Sequence, residues 1–132
     1  MPTSESSPFG EIIYAYTRAQ ALADGVLVDV SDLAREAGFV FPVALTERFY
    51  HGYIVPTLAL IAEGQSIVGR LWDLLTVLRW TIQTSKDDSY LPLSVLFIMS
   101  PGSPPVPTDL VAVCGPGDSG EPVVTVMLPD ED

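Results

Sequence analysis

The feature that most constrains this chain lies near its C-terminal end. Residues 110–114 and 123–128 are apolar, β-branched runs, and between them stands Gly115-Pro116-Gly117-Asp118-Ser119-Gly120-Glu121-Pro122. β-branched residues favour strands. Three glycines and two prolines continue neither run, so the chain must turn here. The stretch predicts a β-hairpin. In its second strand Val124, Val126 and Leu128 share one face, and Val123, Thr125 and Met127 share the other. Only Thr125 is polar, which predicts an inner strand covered on both faces.

Inside the turn, Gly117-Asp118-Ser119-Gly120-Glu121-Pro122 is one residue away from the signature around the nucleophile of trypsin-like proteases. That reading makes Ser119 the nucleophile and His51, the one histidine, its base. A chain of 132 residues is too short for the paired barrels of that fold, and nothing around His51 matches. Gly, Asp and Ser are read here as turn chemistry. No catalytic residues are assigned.

The strongest helical signal is residues 66–84, where Ile67, Leu71, Leu74, Leu75, Leu78 and Ile82 recur at spacings of three and four. Val68 and Trp72 widen that face, and Arg70, Asp73, Thr76, Arg79 and Gln83 form the opposite stripe. Arg70 and Asp73 are spaced to pair. Trp72 and Trp80 are read as core, or as a dimer seam if their face is only partly covered.

Shorter signals precede it. Thr17 and Gln20 fit a capping box for a helix to about Ala23, with Gly25 as its stop. Residues 26–30 are a strand candidate, and Ser31 is expected to cap a helix through Ala37. Residues 39–45 contain Pro42, so an extended edge segment is predicted. Thr46 can cap a helix to about Val55, which Pro56 ends, and a further turn or two is expected over residues 57–63. Residues 91–99 read as a strand apolar on both faces. The fold expected is α+β: a small, mainly antiparallel sheet of three C-terminal strands, with residues 26–30 as a potential fourth, and helices packed on it. Residues 1–8 are read as a tail and residues 9–132 as one domain.

Composition narrows the function. With 48% hydrophobic residues the chain can bury a core. Seventeen acidic residues against six basic ones give a net charge of −11, which argues against binding nucleic acid or anionic membrane and suits a basic protein surface. The single cysteine, Cys114, forms no internal disulfide and is read as a buried, inert thiol. The first residues carry no basic, apolar leader, and the apolar stretch 53–62 is broken by Pro56, so a cytoplasmic protein is expected. One histidine and one cysteine far apart make no zinc site. Asp29, Asp32 and Glu36, like residues 130–132, are read as solvated carboxylates rather than a metal site. No glycine-rich loop lies between a strand and a helix, so no nucleotide cofactor is implied.

Three stretches resemble a known family: Tyr14-Ala15-Tyr16-Thr17-Arg18-Ala19-Gln20 running on to Val30, Gly69-Arg70-Leu71-Trp72-Asp73, and Val113-Cys114-Gly115-Pro116-Gly117-Asp118 with Val126-Met127-Leu128-Pro129. They are similar to small uncharacterised bacterial proteins met on conjugative plasmids, integrative elements and phage-like regions. The stretch from 49 to 65 diverges. The resemblance implies no reaction and no catalytic residues. It implies an accessory protein of mobile DNA, some of which counter host defences.

Tyr14, Tyr16 and Arg18 form a polar-aromatic cluster of the kind found at binding hot spots. With Arg70, Asp118 and Glu121 they are the candidate binding residues. The leading expectation is a non-enzymatic acidic interaction protein. The alternatives are a small enzyme or ligand-binding domain with its site near Tyr16, Arg18 and Arg70, and a homodimer that buries residues 53–62.

Overall fold

The structure, a computed structural model, describes residues 16–86 and 89–131. The expected tail 1–8, Tyr14 and the acidic pair of the 85–89 loop lie outside these residues. Helix α1 (Arg18–Ala23) leads to strand β1 (Leu27–Asp29), α2 (Ser31–Glu36) and β2 (Val43–Thr46). One α-helical turn, α3 (Glu47–Phe49), widens into a π-helix over Tyr50–Ile54. Then follow α4 (Leu58–Ala62), the long α5 (Ile67–Thr84), β3 (Tyr90–Phe97), β4 (Val106–Pro116), β5 (Pro122–Met127) and a 3-10 turn, Pro129–Glu131. The five strands form one sheet in the order β1-β2-β5-β4-β3, antiparallel except for β2 against β5. The α+β class, the C-terminal hairpin and the mainly antiparallel sheet are as expected.

Two hydrogen bonds set the pairing of the C-terminal strands. The Cys114 N–H donates to Ser89 O at 2.8 Å, and the Gly117 N–H to Glu121 O at 2.6 Å. In an antiparallel ladder bonded and non-bonded pairs alternate. The registers Leu96↔Pro107, Pro92↔Val111 and Pro116↔Pro122 therefore fall on non-bonded pairs. The ladder asks these prolines for no N–H, which is why strands this rich in proline still pair.

One face of the sheet carries the core. Leu91, Leu93, Val95, Phe97, Leu110, Ala112, Val124, Val126, Val43 and Leu45 lie under Leu71, Leu74, Leu75 and Leu78 of α5. Each fully covered large side chain contributes roughly 1.5–3 kcal/mol. Thr17 and Thr46 cap their helices as expected, Thr17 with Gln20 completes the capping box, and Ser66 caps α5.

Four expectations are corrected. The segment around Pro42 is not an edge: β2 lies between β1 and β5, and Pro42, just ahead of it, needs only its carbonyl, which accepts from the Val124 N–H at 3.0 Å. Ser31 does not cap α2. It is the first helical residue, Asp29 accepts its N–H at 3.1 Å, and its hydroxyl accepts from the Val43 N–H at 3.1 Å. Strand β3 is buried on one face only: α5 covers Leu91, Leu93, Val95 and Phe97, while Pro92, Ser94 and Leu96 on the other face are exposed. Val68 and Trp80 are exposed rather than core, and Arg70 is buried rather than on the solvent stripe. The apolar 53–62 stretch divides: Ile54 and Leu60 are buried in the chain's own core, while Leu58 and Ile61 are exposed.

Candidate functional site

Helix α1 is held onto the sheet by the hairpin turn. Its N-terminus leaves backbone N–H groups without intrahelical partners. Asp118 Oδ1 accepts the Arg18 N–H at 2.8 Å, and Oδ2 accepts the Ala19 N–H at 3.0 Å. The Thr17 hydroxyl takes the Gln20 N–H at 3.1 Å. The two backbone bonds to Asp118, with the nearby Arg18 charge, hold its carboxyl below the usual carboxylate range. The turn presents Asp118 because Gly120 adopts φ 83° and because Gly117 leaves room: an added Cβ there would stand 2.7 Å from the Glu121 carboxyl. Glu121 in turn accepts the Ser119 N–H at 2.9 Å.

The Arg18 side chain reaches across the sheet face opposite the core. It donates to Thr125 Oγ1 at 2.7 Å and to Val124 O at 3.2 Å. Burial pulls this guanidinium below its ordinary range, and Asp29, Asp118 and Glu121 draw it back up. Tyr16 donates to Asp24 at 3.1 Å; desolvation, then that bond, then the charges of Asp24 and Glu47 raise its phenol. Arg18, Asp118 and Glu121 are therefore one neighbourhood, while Tyr16 turns its hydroxyl to Asp24.

Arg70 belongs elsewhere. It lies on the core side, donating to Tyr53 O at 2.7 Å, to Gln65 Oε1 at 3.3 Å and to Ile98 O, with its guanidinium 5.6 Å from the Phe97 ring centre. Burial lowers it, against the opposing pull of Asp73. The sheet separates Arg70 from Arg18, so the two do not converge on one ligand. Arg70 joins the π-helix, α5 and the end of β3.

Ser119 and His51 are also apart. The Arg48–Asp130 bridge, 2.8 Å, sets α3 at the C-terminal end of β5, whereas Ser119 precedes its N-terminal end. His51 packs edge-on against Tyr50 at 5.2 Å. Among the described residues no three of His, Cys, Asp and Glu converge to hold a metal ion, and no helix is long and apolar enough to cross a membrane.

Two of the open clefts adjoin residues named above. One, about 470 Å³, is walled by Phe41, Ile82, Leu91, Val124 and the half-buried Cys114, whose thiol burial pushes up and so away from the thiolate. The other, about 550 Å³, runs between β3 and α5 and is lined by Gln65, Arg70, Asp73, Val77, Ser94 and Leu96. Sequence reasoning missed this second groove. The sign of it was Ser94, where a polar residue interrupts the apolar run beside Leu96.

Charge is divided as unevenly. Residues 65–106 carry Arg70, Arg79 and Lys86 against Asp73, Asp87 and Asp88, three of each sign, so the whole −11 falls on the remainder. Asp24, Asp29, Asp32, Glu36 and Glu47, all exposed, belong to β1, α1, α2 and the end of β2, at the edge away from β3.

A family model described as "Family of unknown function (DUF6573)" matches residues 8–132. No curated protein and no solved structure matches the chain.

Proposed function

The chain belongs to this family of unknown function, and we propose that it is a non-enzymatic acidic protein-binding domain that covers a basic surface of a partner. The observation that carries the reading is that Asp24, Asp29, Asp32, Glu36 and Glu47 outnumber Arg18, Arg35 and Arg48 at the β1 edge, whereas residues 65–106 carry no net charge. The candidate polar groups point the same way. Arg18 and Asp118 fasten α1 to the sheet, and Arg70 fastens the π-helix to β3. Groups bonded in this way serve the fold, and among the described residues they leave no nucleophile, base or oxyanion donor assembled around a substrate.

A partner with a basic, nucleic-acid-binding face fits this edge by charge. The resemblance to accessory proteins of plasmids and integrative elements supplies the setting: a mobile element whose product occludes a host protein, including one that acts in defence. The test is an affinity pull-down from a host lysate at low and high salt, repeated with Glu36→Lys and Glu47→Lys. The expected result is one stoichiometric partner that salt releases and that the paired reversal no longer captures. Capture unaffected by salt and by both reversals overturns the reading.

A further inference from the structure

Ser31, Arg70 and Thr108 are the polar side chains buried among the described residues. Ser31 bonds to Asp29 and Val43, and Arg70 donates to Tyr53 O, Gln65 Oε1 and Ile98 O. Thr108 is 8% exposed, yet its hydroxyl meets no polar partner among the described residues. The large majority of buried polar atoms are bonded, so this orphan asks for a reason. Strand alternation puts the Thr108 side chain on the core face with Leu110 and Ala112. Tyr53 and Leu128 pack on that same face. With Thr108 they line a third cleft, about 420 Å³, between the start of β4, the π-helix and the end of β5. Met99 and Val106 extend its apolar walls, and Arg48 and Asp130, both more than half exposed, stand at its rim.

Charge decides what fits there. Arg48 Nη1 bonds Asp130 Oδ2 at 2.8 Å, and Asp130 Oδ1 has no partner among the described residues. Asp109 borders the cleft from the opposite face of β4, and Glu131 follows Asp130. An anion drawn to Arg48 would meet three carboxylates. A cation finds two unused acceptors, Asp130 Oδ1 and Thr108 Oγ1.

We infer that this cleft binds an organic cation carried on an aliphatic stem, an ammonium or guanidinium whose head is bonded by Thr108 Oγ1 and Asp130 Oδ1. The stem lies against Tyr53, Met99, Val106 and Leu128. An apolar stem under a charged head is the build of alkyl amines and of long basic side chains alike. The cleft volume falls within the range of small-ligand sites, about 300–1,000 Å³. The Arg48 bridge holds the Asp130 carboxylate in place and competes with the ligand for its charge.

The inference goes beyond the proposed function and fails separately from it, since its test uses no partner and neither Glu36 nor Glu47 lines the cleft. The probes are n-butylguanidinium and n-butylammonium, with butyrate as the anionic counterpart, followed by amide NMR of the full chain. Either cation should give saturable shifts at Tyr53, Met99, Val106 and Thr108, with a Kd on the order of 1 mM for so small a ligand. Butyrate should give none. Thr108→Val keeps the shape and removes the hydroxyl. It should weaken binding about five-fold and leave the melting temperature equal or higher, since the fold gives that hydroxyl no bond. Asp130→Asn should weaken binding about ten-fold, whereas Arg48→Gln, which removes the competing cation, should tighten it. A capped Gly-Arg-Gly peptide separates the two sources of such a head. Binding as tight as the free cation's assigns the cleft to an arginine of a protein, and binding about ten-fold weaker assigns it to a free small molecule. No shift from either cation up to about 20 mM overturns the inference, as do equal shifts from butyrate. Undiminished binding by Thr108→Val overturns it as well, leaving water to satisfy the hydroxyl.

Discussion

Asp118 holds the first turn of α1 from a distance of one hundred residues, accepting the Arg18 N–H at 2.8 Å and, through its other oxygen, the Ala19 N–H at 3.0 Å. The carboxylate completes the cap that Thr17 begins locally. It also ties the turn between β4 and β5 to the N-terminal part of the fold.

That contact predicts an acid-sensitive helix. The folded carboxyl is depressed, so its contribution is fully present above the ordinary carboxylate value, near 3.9, and is lost as pH falls through the folded value. Hydrogen exchange at Arg18 and Ala19 should be slow at pH 7. Asp118→Asn should speed it there and lower the melting temperature. The difference between parent and variant should disappear once both side chains are neutral in acid. An equal difference at every pH would show that charge plays no part in the cap.

Arg70 predicts a costly deletion. It is 3% exposed and donates to carbonyls on two separate segments. Removing it strands two part-buried carbonyls, each toward the low end of the roughly 1–3 kcal/mol a buried acceptor costs. Arg70→Ala should therefore destabilise by about 1–3 kcal/mol in urea titration. Arg70→Lys should recover little of this, since a single ammonium cannot span the positions that the planar guanidinium reaches. A loss below about 0.5 kcal/mol, the range of ordinary surface changes, would contradict the structure at this point.

The two flanks of α5 predict a sharp contrast. Leu74 is fully buried among sheet residues, and Leu74→Ala should cost about 2–5 kcal/mol. Trp80, much the larger side chain, is 65% exposed, and Trp80→Ala should cost within about 0.5 kcal/mol. Denaturant midpoints measured side by side decide it, and comparable losses would place Trp80 in the core after all.

What the sequence by itself determined are the features whose partners lie close along the chain. Thr17 and Gln20 stand three residues apart, and the capping box forms as their spacing predicts. The hairpin follows from glycines and prolines between two β-branched runs, and the long helix from apolar spacings of three and four. In each case a turn of helix or a tight turn brings the residues together whatever the rest of the molecule does.

Tertiary structure decided the features that depend on which face another element covers. Pro42 read as an edge signal, yet it precedes an inner strand whose parallel neighbour, β5, comes from the far end of the chain. Arg70 sits on the polar stripe of α5, yet the π-helix and the end of β3 close over it and supply the carbonyls that make its burial tolerable. Trp80 is apolar and uncovered because β3 is the last strand of the sheet, so nothing described beyond it reaches that flank. The candidate site divided for the same reason. Arg18 meets Asp118 because the hairpin folds back onto α1, while Arg70 is turned to the opposite face of the sheet. Periodicity along a chain states which residues share a face, but only the packing of distant elements settles which face is covered and by what.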